Sequence, residues 1–161
     1  MDVTKGNGPG PEDIEPTRRL VVLSNRVGYT DTGHATGGLA AALGETLEHQ
    51  GGTWFGWSGR ITENPLATPT LRNHGNVDVA TLDLTPGEHA DYYNGYCNAA
   101  LWPLFHSSVD RTIIDRRHEK AYWALNRRFA TNLVPLLKTD DMVWVHDYHF
   151  IPFGQLSLIH I

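Results

Sequence analysis

The chain has 161 residues, 40 % of them apolar and 19 % charged, and carries a formal net charge of −5. That length and balance suit one globular domain with a proper core, and the acidic excess argues against a nucleic-acid groove or an anionic membrane surface as the main partner. No apolar run approaches the roughly 18 to 20 residues needed to span a bilayer, and the single cysteine, Cys97, excludes an internal disulfide and fits a reducing cytoplasm.

Residues 1–17, "MDVTKGNGPGPEDIEPT", contain three Gly, three Pro and four acids and have no apolar core. They read as a disordered tail, not a secretory signal. Order begins in "RRLVVLSNR", where Leu20 to Leu23 form a continuous apolar run of strand length. Such a run suits a strand covered on both faces, as in a parallel sheet. A Gly-containing loop, "VGYTDTGHATGG", precedes "LAAALGETLEHQ", which has helical spacing at Leu39, Ala42, Leu43 and Leu47. Gly51 and Gly52 stop that helix, and "TWFGWSG" reads as the next strand. The segment from Arg60 to Gly75 reads as loop, and "VDVATLDL" alternates as a strand does.

Thr85, Pro86 and Glu88 form a capping-box start to a helix that Pro103 should end or kink. On that helix Tyr93 and Trp102, nine apart, share a face only loosely. From about Arg116 to Leu137 the residues Ala121, Leu125, Phe129, Leu133 and Leu137 recur every fourth position, an amphipathic helix. "DMVWVHD" then reads as another buried strand ending at His146 or Asp147. Alternating strands and helices without internal repeats predict an α/β, Rossmann-like, mostly parallel sheet flanked by helices.

In such sheets ligands bind beyond the carboxyl ends of the strands. Three polar clusters fall there: Ser24, Asn25 and Arg26; Trp57 and Ser58; and His146, Asp147 and His149. Arg26 suits a phosphate or carboxylate because its fork binds bidentately, and a surface ion pair accounts for it equally well. "TGG" at Thr36 to Gly38, before a helix, offers backbone N–H groups to a phosphate, yet a tight turn explains it too. The G-x-G-x-x-G dinucleotide fingerprint is absent. Neighbouring strand residues face opposite ways, so His146 and Asp147 do not easily share a metal, and Ser24 and Ser58 lack the G-x-S-x-G setting of a nucleophile. The remaining readings of "HDYH" are Asp147 accepting hydrogen bonds from a hydroxylated ligand, with the histidines tuning that rim, or plain capping of a strand end.

Six ordered blocks, "RLVVLSNR", "GGLAAAL", "GGTWFGWSG", "YYNGYCNAALWPLFH", "YWALNRRFA" and "VWVHDYHFIPF", together closely resemble the N-terminal half of the trehalose-6-phosphate synthase family, over about residues 18–153. These are retaining glycosyltransferases of the two-domain GT-B architecture. The resemblance implies a partial N-terminal, acceptor-binding domain over 18–153 and glucosyl transfer from UDP-glucose to glucose 6-phosphate, giving trehalose 6-phosphate and UDP. It places Arg26 on the acceptor phosphate, Trp57, Tyr93 and Trp102 around that sugar phosphate, Asp147 on a sugar hydroxyl as the catalytic-site residue, and Gly37 and Gly38 in the loop that closes over the donor. It implies no cofactor and no metal, small-molecule substrates with neither nucleic acid nor membrane as partner, a cytoplasmic location, and homo-oligomers of the full-length enzyme.

The family continues beyond "HDYHFIPF" with a charged helix, a later histidine-bearing strand and a second, nucleotide-sugar domain, whereas here residues 154–161 read "GQLSLIHI". His160 arrives too early to take that histidine's role. The expectation is a truncated portion without transferase activity of its own. A glucosylglycerol-phosphate synthase and a non-catalytic glucose 6-phosphate-binding module are the alternatives, with a redox Rossmann domain disfavoured by the absent fingerprint.

Overall fold

The computed structural model describes residues 18–30, 33–34 and 38–158. The tail expected over 1–17, together with Thr36, Gly37 and His160, lies outside the described residues. Strand β1 (Leu20–Arg26) occupies an inner position, pairing in parallel with β4 (Gly52–Ile61) on one side and β7 (Met142–Val145) on the other. Its run is apolar at every position because both faces are covered. Val21 and Leu23 pack with Phe55, Leu82 and Phe129, while Leu20 and Val22 pack with Trp54, Val79 and the helix residues Leu43 and Leu47. Val21, Val22 and Leu23 are fully buried, and burial of each such side chain contributes about 1.5 to 3 kcal/mol.

Beyond β4 the sheet continues with β6 (Val77–Leu84), parallel, and β5 (Thr70–His74), antiparallel at the edge, for a strand order β5-β6-β4-β1-β7. This is the expected mostly parallel α/β sheet. On one face lies α1 (Gly38–Gln50), which buries Leu43 and Leu47 but leaves Ala42 exposed. Across the other face runs a long helical segment: α2 (Pro86–Glu88), a π-helix (His89–Leu101) and α3 (Trp102–Phe105). Packed on it is α4 (Arg116–Leu133), against which the short α5 (Phe153–Leu158) lies in turn.

Several expectations require correction. The segment read as loop from Arg60 to Gly75 contains β5; its polar sequence "TLRNH" is mostly exposed and becomes strand by pairing with β6. The Gly-containing loop after β1 holds a small antiparallel pair, β2 (Tyr29–Thr30) with β3 (Gly33–His34). The capping box forms as read, with Glu88 N donating to Thr85 Oγ1 and Thr85 N donating to a Glu88 carboxylate oxygen, but the helix that follows has π and not α register. Pro103 does not stop it, because it falls in the first turn of α3, where a missing N–H costs little. Strand β7 is not buried on both faces: Val143 and Val145 pack inward, whereas Met142 and Trp144 are 48 % and 46 % exposed, since β7 is the sheet's outer strand.

Candidate functional site

The C-terminal ends of β1 and β7 meet in a cleft of about 190 Å³ lined by Ser24, Asn25, Arg26, Trp54, His146, Asp147 and His149, with Ala40 and Leu43 of α1 on its far wall. Larger hollows lie elsewhere, one of about 400 Å³ against Arg19, Thr53 and Asp78 at the opposite strand ends and one of about 510 Å³ on the outer face of α4. Neither collects polar groups from several strand C-termini, the place where open parallel sheets bind ligands.

Arg26 closes β1 and is exposed. No carboxylate among the described residues pairs with it. Its guanidinium carbon lies 5.9 Å from the centre of the Trp57 ring, and it crosses Gly59, where a Cβ would sit 2.8 Å from Nε and from Nη2. Gly59 has φ +89°, a conformation L side chains rarely adopt. Trp57 is buried, and its indole N–H donates to the Arg60 carbonyl at 2.9 Å. It therefore supports Arg26 from behind, and its N–H is already used.

An aromatic wall continues from Trp57. His89 and Tyr93 lie 5.5 and 5.9 Å from it. Tyr93 stacks on His149 at 5.8 Å, His149 on Tyr148 at 4.2 Å, and Tyr148 meets Trp102 at 5.8 Å. Trp102 is 47 % exposed at the rim and is backed by His106 at 3.6 Å. Tyr93 and Trp102 thus line one turn, although α spacing makes nine positions a loose match. The wider i→i+5 turns of the π-helix alter that angular relation.

Asp147 follows β7 with φ +75° and ψ 166°, a region close to Gly-only. Its Oδ1 accepts from the Tyr148 N–H at 2.7 Å, opening a 3₁₀ turn over Tyr148–Phe150. Its Oδ2 lies 3.3 Å from His149 Nδ1. His149 is 6 % exposed, and desolvation lowers its pKa to about 4 despite the opposing pull of Asp147, so it is neutral near pH 7. Burial, aided by the Asp147 charge, pushes the Tyr148 hydroxyl up to about 12.

Groups that sequence reasoning did not single out hold this turn in place. The Tyr122 hydroxyl of α4 donates to the Tyr148 carbonyl at 2.8 Å and accepts from Ile151 N at 3.2 Å. Asn126, fully buried, donates to the His149 carbonyl at 3.1 Å. Two further bonds tie the π-helix to the strand ends: Tyr92 to Asn25 at 3.1 Å, and Tyr148 to Asn98 at 3.2 Å. These bonds join residues 23 to 67 positions apart, beyond any periodicity. The one readable signal is the density of Tyr and Asn in "YYNGYCN".

Of the five residues Arg26, Trp57, Tyr93, Trp102 and Asp147, Arg26 and Asp147 line the cleft itself, and the other three connect to it through a chain of ring contacts. Of the proposed donor-loop glycines, Gly37 lies outside the described residues. Gly38 opens α1, exposed, and a Cβ there would meet nothing within 4 Å. Among the described residues no group of three or more His, Cys, Asp or Glu could hold a metal ion, and no helix is long and apolar enough to cross a membrane.

Residues 16–157 match the model of glycosyltransferase family 20. The chain is 44 % identical over 140 residues to a trehalose-6-phosphate synthase of Sinorhizobium fredii, covering 84 % of this chain and 30 % of that protein. It is 40 % identical to the synthase of Klebsiella pneumoniae, covering 85 % and 29 %. The crystal structure of an alpha,alpha-trehalose-phosphate synthase (UDP-forming) from Burkholderia vietnamiensis superposes with a TM-score of 0.80 at 43 % identity, over 89 % of this chain and 30 % of that one. One from Burkholderia xenovorans in complex with glucose-6-phosphate gives 0.80 at 42 %, over 88 % and 31 %. The chain thus spans about 30 % of the length of these relatives. With 142 of its residues inside the match to the family model, the chain belongs to glycosyltransferase family 20.

Proposed function

We propose that this chain supplies the acceptor-binding part of a trehalose-6-phosphate synthase, which transfers glucose from UDP-glucose to glucose 6-phosphate. The observation that carries this reading is Arg26, without a carboxylate partner among the described residues, facing the same cleft as Asp147, with Tyr93 and Trp102 packed behind it on His149 and Tyr148 of the turn after β7. A phosphate calls for a guanidinium fork with neutral hydroxyl donors beside it, and flat rings suit the apolar face of a pyranose. Arg26 and Tyr93 take the phosphate, Trp57 and Trp102 border the sugar phosphate, and Asp147 accepts from a sugar hydroxyl. The relative solved with glucose-6-phosphate supports that ligand.

In the retaining reaction the acceptor hydroxyl bonds to the glucosyl anomeric carbon as the bond to UDP breaks, and its proton passes to the departing diphosphate. The protein's task is positioning and charge stabilisation. The donor is held by Gly37, Gly38 and a second domain outside this chain, so residues 18–153 bind acceptor without turning over. No cofactor enters this scheme.

Titration of glucose 6-phosphate into the purified chain tests the reading. Saturable binding is expected, weakened about tenfold or more in Arg26→Ala, which loses a charge-assisted pair. UDP release from UDP-glucose and glucose 6-phosphate is expected to stay at background. Binding unchanged in Arg26→Ala would refute the phosphate assignment, and turnover by the 161-residue chain would refute the division of labour.

A further inference from the structure

His149 is enclosed on nearly every side, and neither ring nitrogen makes a directed hydrogen bond to another described residue. Its ring is clamped between Tyr93 at 5.8 Å and Tyr148 at 4.2 Å, both close to parallel, with Tyr92 6.4 Å away. Its main-chain carbonyl is fixed by Asn126. The groups facing it are therefore Asp147 and Tyr148 of its own turn, His146 at the end of β7, Tyr92 and Tyr93 of the π-helix, and the polar cleft residues Ser24, Asn25 and Arg26. Packing alone does not call for imidazole here, since a phenyl ring fills such a stack without burying polar atoms.

The placement of the two nitrogens resolves this. Nδ1 lies 3.3 Å from Asp147 Oδ2, within ion-pair distance but out of line for a directed hydrogen bond, and Nε2 has no hydrogen-bond partner either, with no carboxylate beside it among the described residues. A buried donor without an acceptor is rarer and more costly than an acceptor short of one bond. In a neutral ring the single proton therefore sits on Nδ1, facing the carboxylate, and leaves Nε2 as the bare acceptor. We infer that His149 is a positioning residue whose Nδ1–H faces Asp147 Oδ2 and attracts it electrostatically while the Tyr148 N–H holds Oδ1 by a hydrogen bond, so that the carboxylate presents its remaining lone pairs to the acceptor hydroxyl in one preferred orientation. The carboxylate needs such help because it stands on a strained, partly exposed turn and the Tyr148 N–H holds only one of its two oxygens. This deepens the acceptor-site reading and rests on it only for the ligand.

Two variants separate the Nδ1–H from the packing. His149→Phe keeps the ring stack and removes the donor; His149→Asn removes the ring but puts an amide N–H near the place of Nδ1–H. The positioning role predicts about tenfold weaker glucose 6-phosphate binding in His149→Phe and near-native binding in His149→Asn. A merely structural role predicts the reverse. Independently of any ligand, nitrogen-15 NMR of the free chain should find the His149 Nδ1–H tautomer from about pH 5 to about pH 8, with that preference lost in Asp147→Asn. An Nε2–H tautomer in the wild-type chain overturns the inference, as does full binding by His149→Phe. Absence of glucose 6-phosphate binding in the wild type defeats the acceptor-site reading instead, and the tautomer then decides the role of His149. The tautomer also decides if His149→Phe fails to fold.

Discussion

His149 loses the water that an imidazolium needs, and that loss has a consequence for stability as well as for the cleft. Desolvation sets its folded pKa near 4, against about 6.5 in the unfolded chain. The folded state thus binds fewer protons than the unfolded state between those values, and stability rises with pH across the window. The neutral ring contributes its full share above about pH 6.5, loses it progressively as pH falls toward about 4, and has none left to lose below that. The total is on the order of 3 kcal/mol. Urea denaturation at about pH 7 and about pH 4.5 should show this loss in the wild type, and a smaller one in His149→Phe, which carries no titrating group there. Asp141, held below the usual carboxylate range chiefly by its hydrogen bond from Arg19, loses its contribution at lower pH, so the two effects separate along the pH axis. An equal slope in both proteins would mean that His149 is hydrated in solution.

At the scale of elements, the π-helix decides how the site is assembled. Thirteen residues in i→i+5 register put Tyr92 against Asn25, Tyr93 against His149 and Asn98 against Tyr148, so that one helix touches the ends of both β1 and β7. Its seat on α4 depends on Gly95, where a Cβ would lie 2.6 Å from the His118 ring. Gly95→Ala should therefore push the two helices apart and cost about 1 to 3 kcal/mol, read as a lower denaturation midpoint together with weaker acceptor binding. A midpoint unchanged from wild type would show that His118 simply swings away. Strand β1, the capping box and α4 were legible because each rests on local chemistry: an unbroken apolar run, a Thr and Glu three apart, and apolar residues every fourth position. Strand β5 was not, since "TLRNH" has no strand pattern and exists as strand through β6 alone. Nor was the π register, which leaves no periodic signature. Arg26 and Asp147 could be placed by the rule that strand ends bind ligands. The capture of the Trp57 N–H by Arg60, and the positive φ of Gly59 beneath Arg26, depend on backbone turns that residue types do not encode.

For the whole molecule the exposed outer strand governs behaviour in solution. Among the described residues β7 pairs only with β1, leaving its other backbone edge open. Met142 and Trp144 stand on the face that Leu20 and Val22 share through the register, each about half exposed beside that open edge. An apolar face together with unpaired N–H and C=O groups is a template for edge-to-edge association. A second exposed apolar group, including Phe105, Ile113 and Ile114, lies around α3 and the loop after it, but the backbone there is engaged, with Ile113 N donating to the Ala99 carbonyl. Association should therefore proceed through β7. Trp144→Lys is expected to raise the concentration at which light scattering appears, because a charge on an edge strand opposes pairing, with little change in folded stability at a half-exposed site. Ile114→Lys, a control on the other patch, should leave the onset where it is. If Ile114→Lys suppresses scattering and Trp144→Lys does not, the loop patch and not the open strand is the sticky surface, and association is driven by side-chain burial without strand pairing.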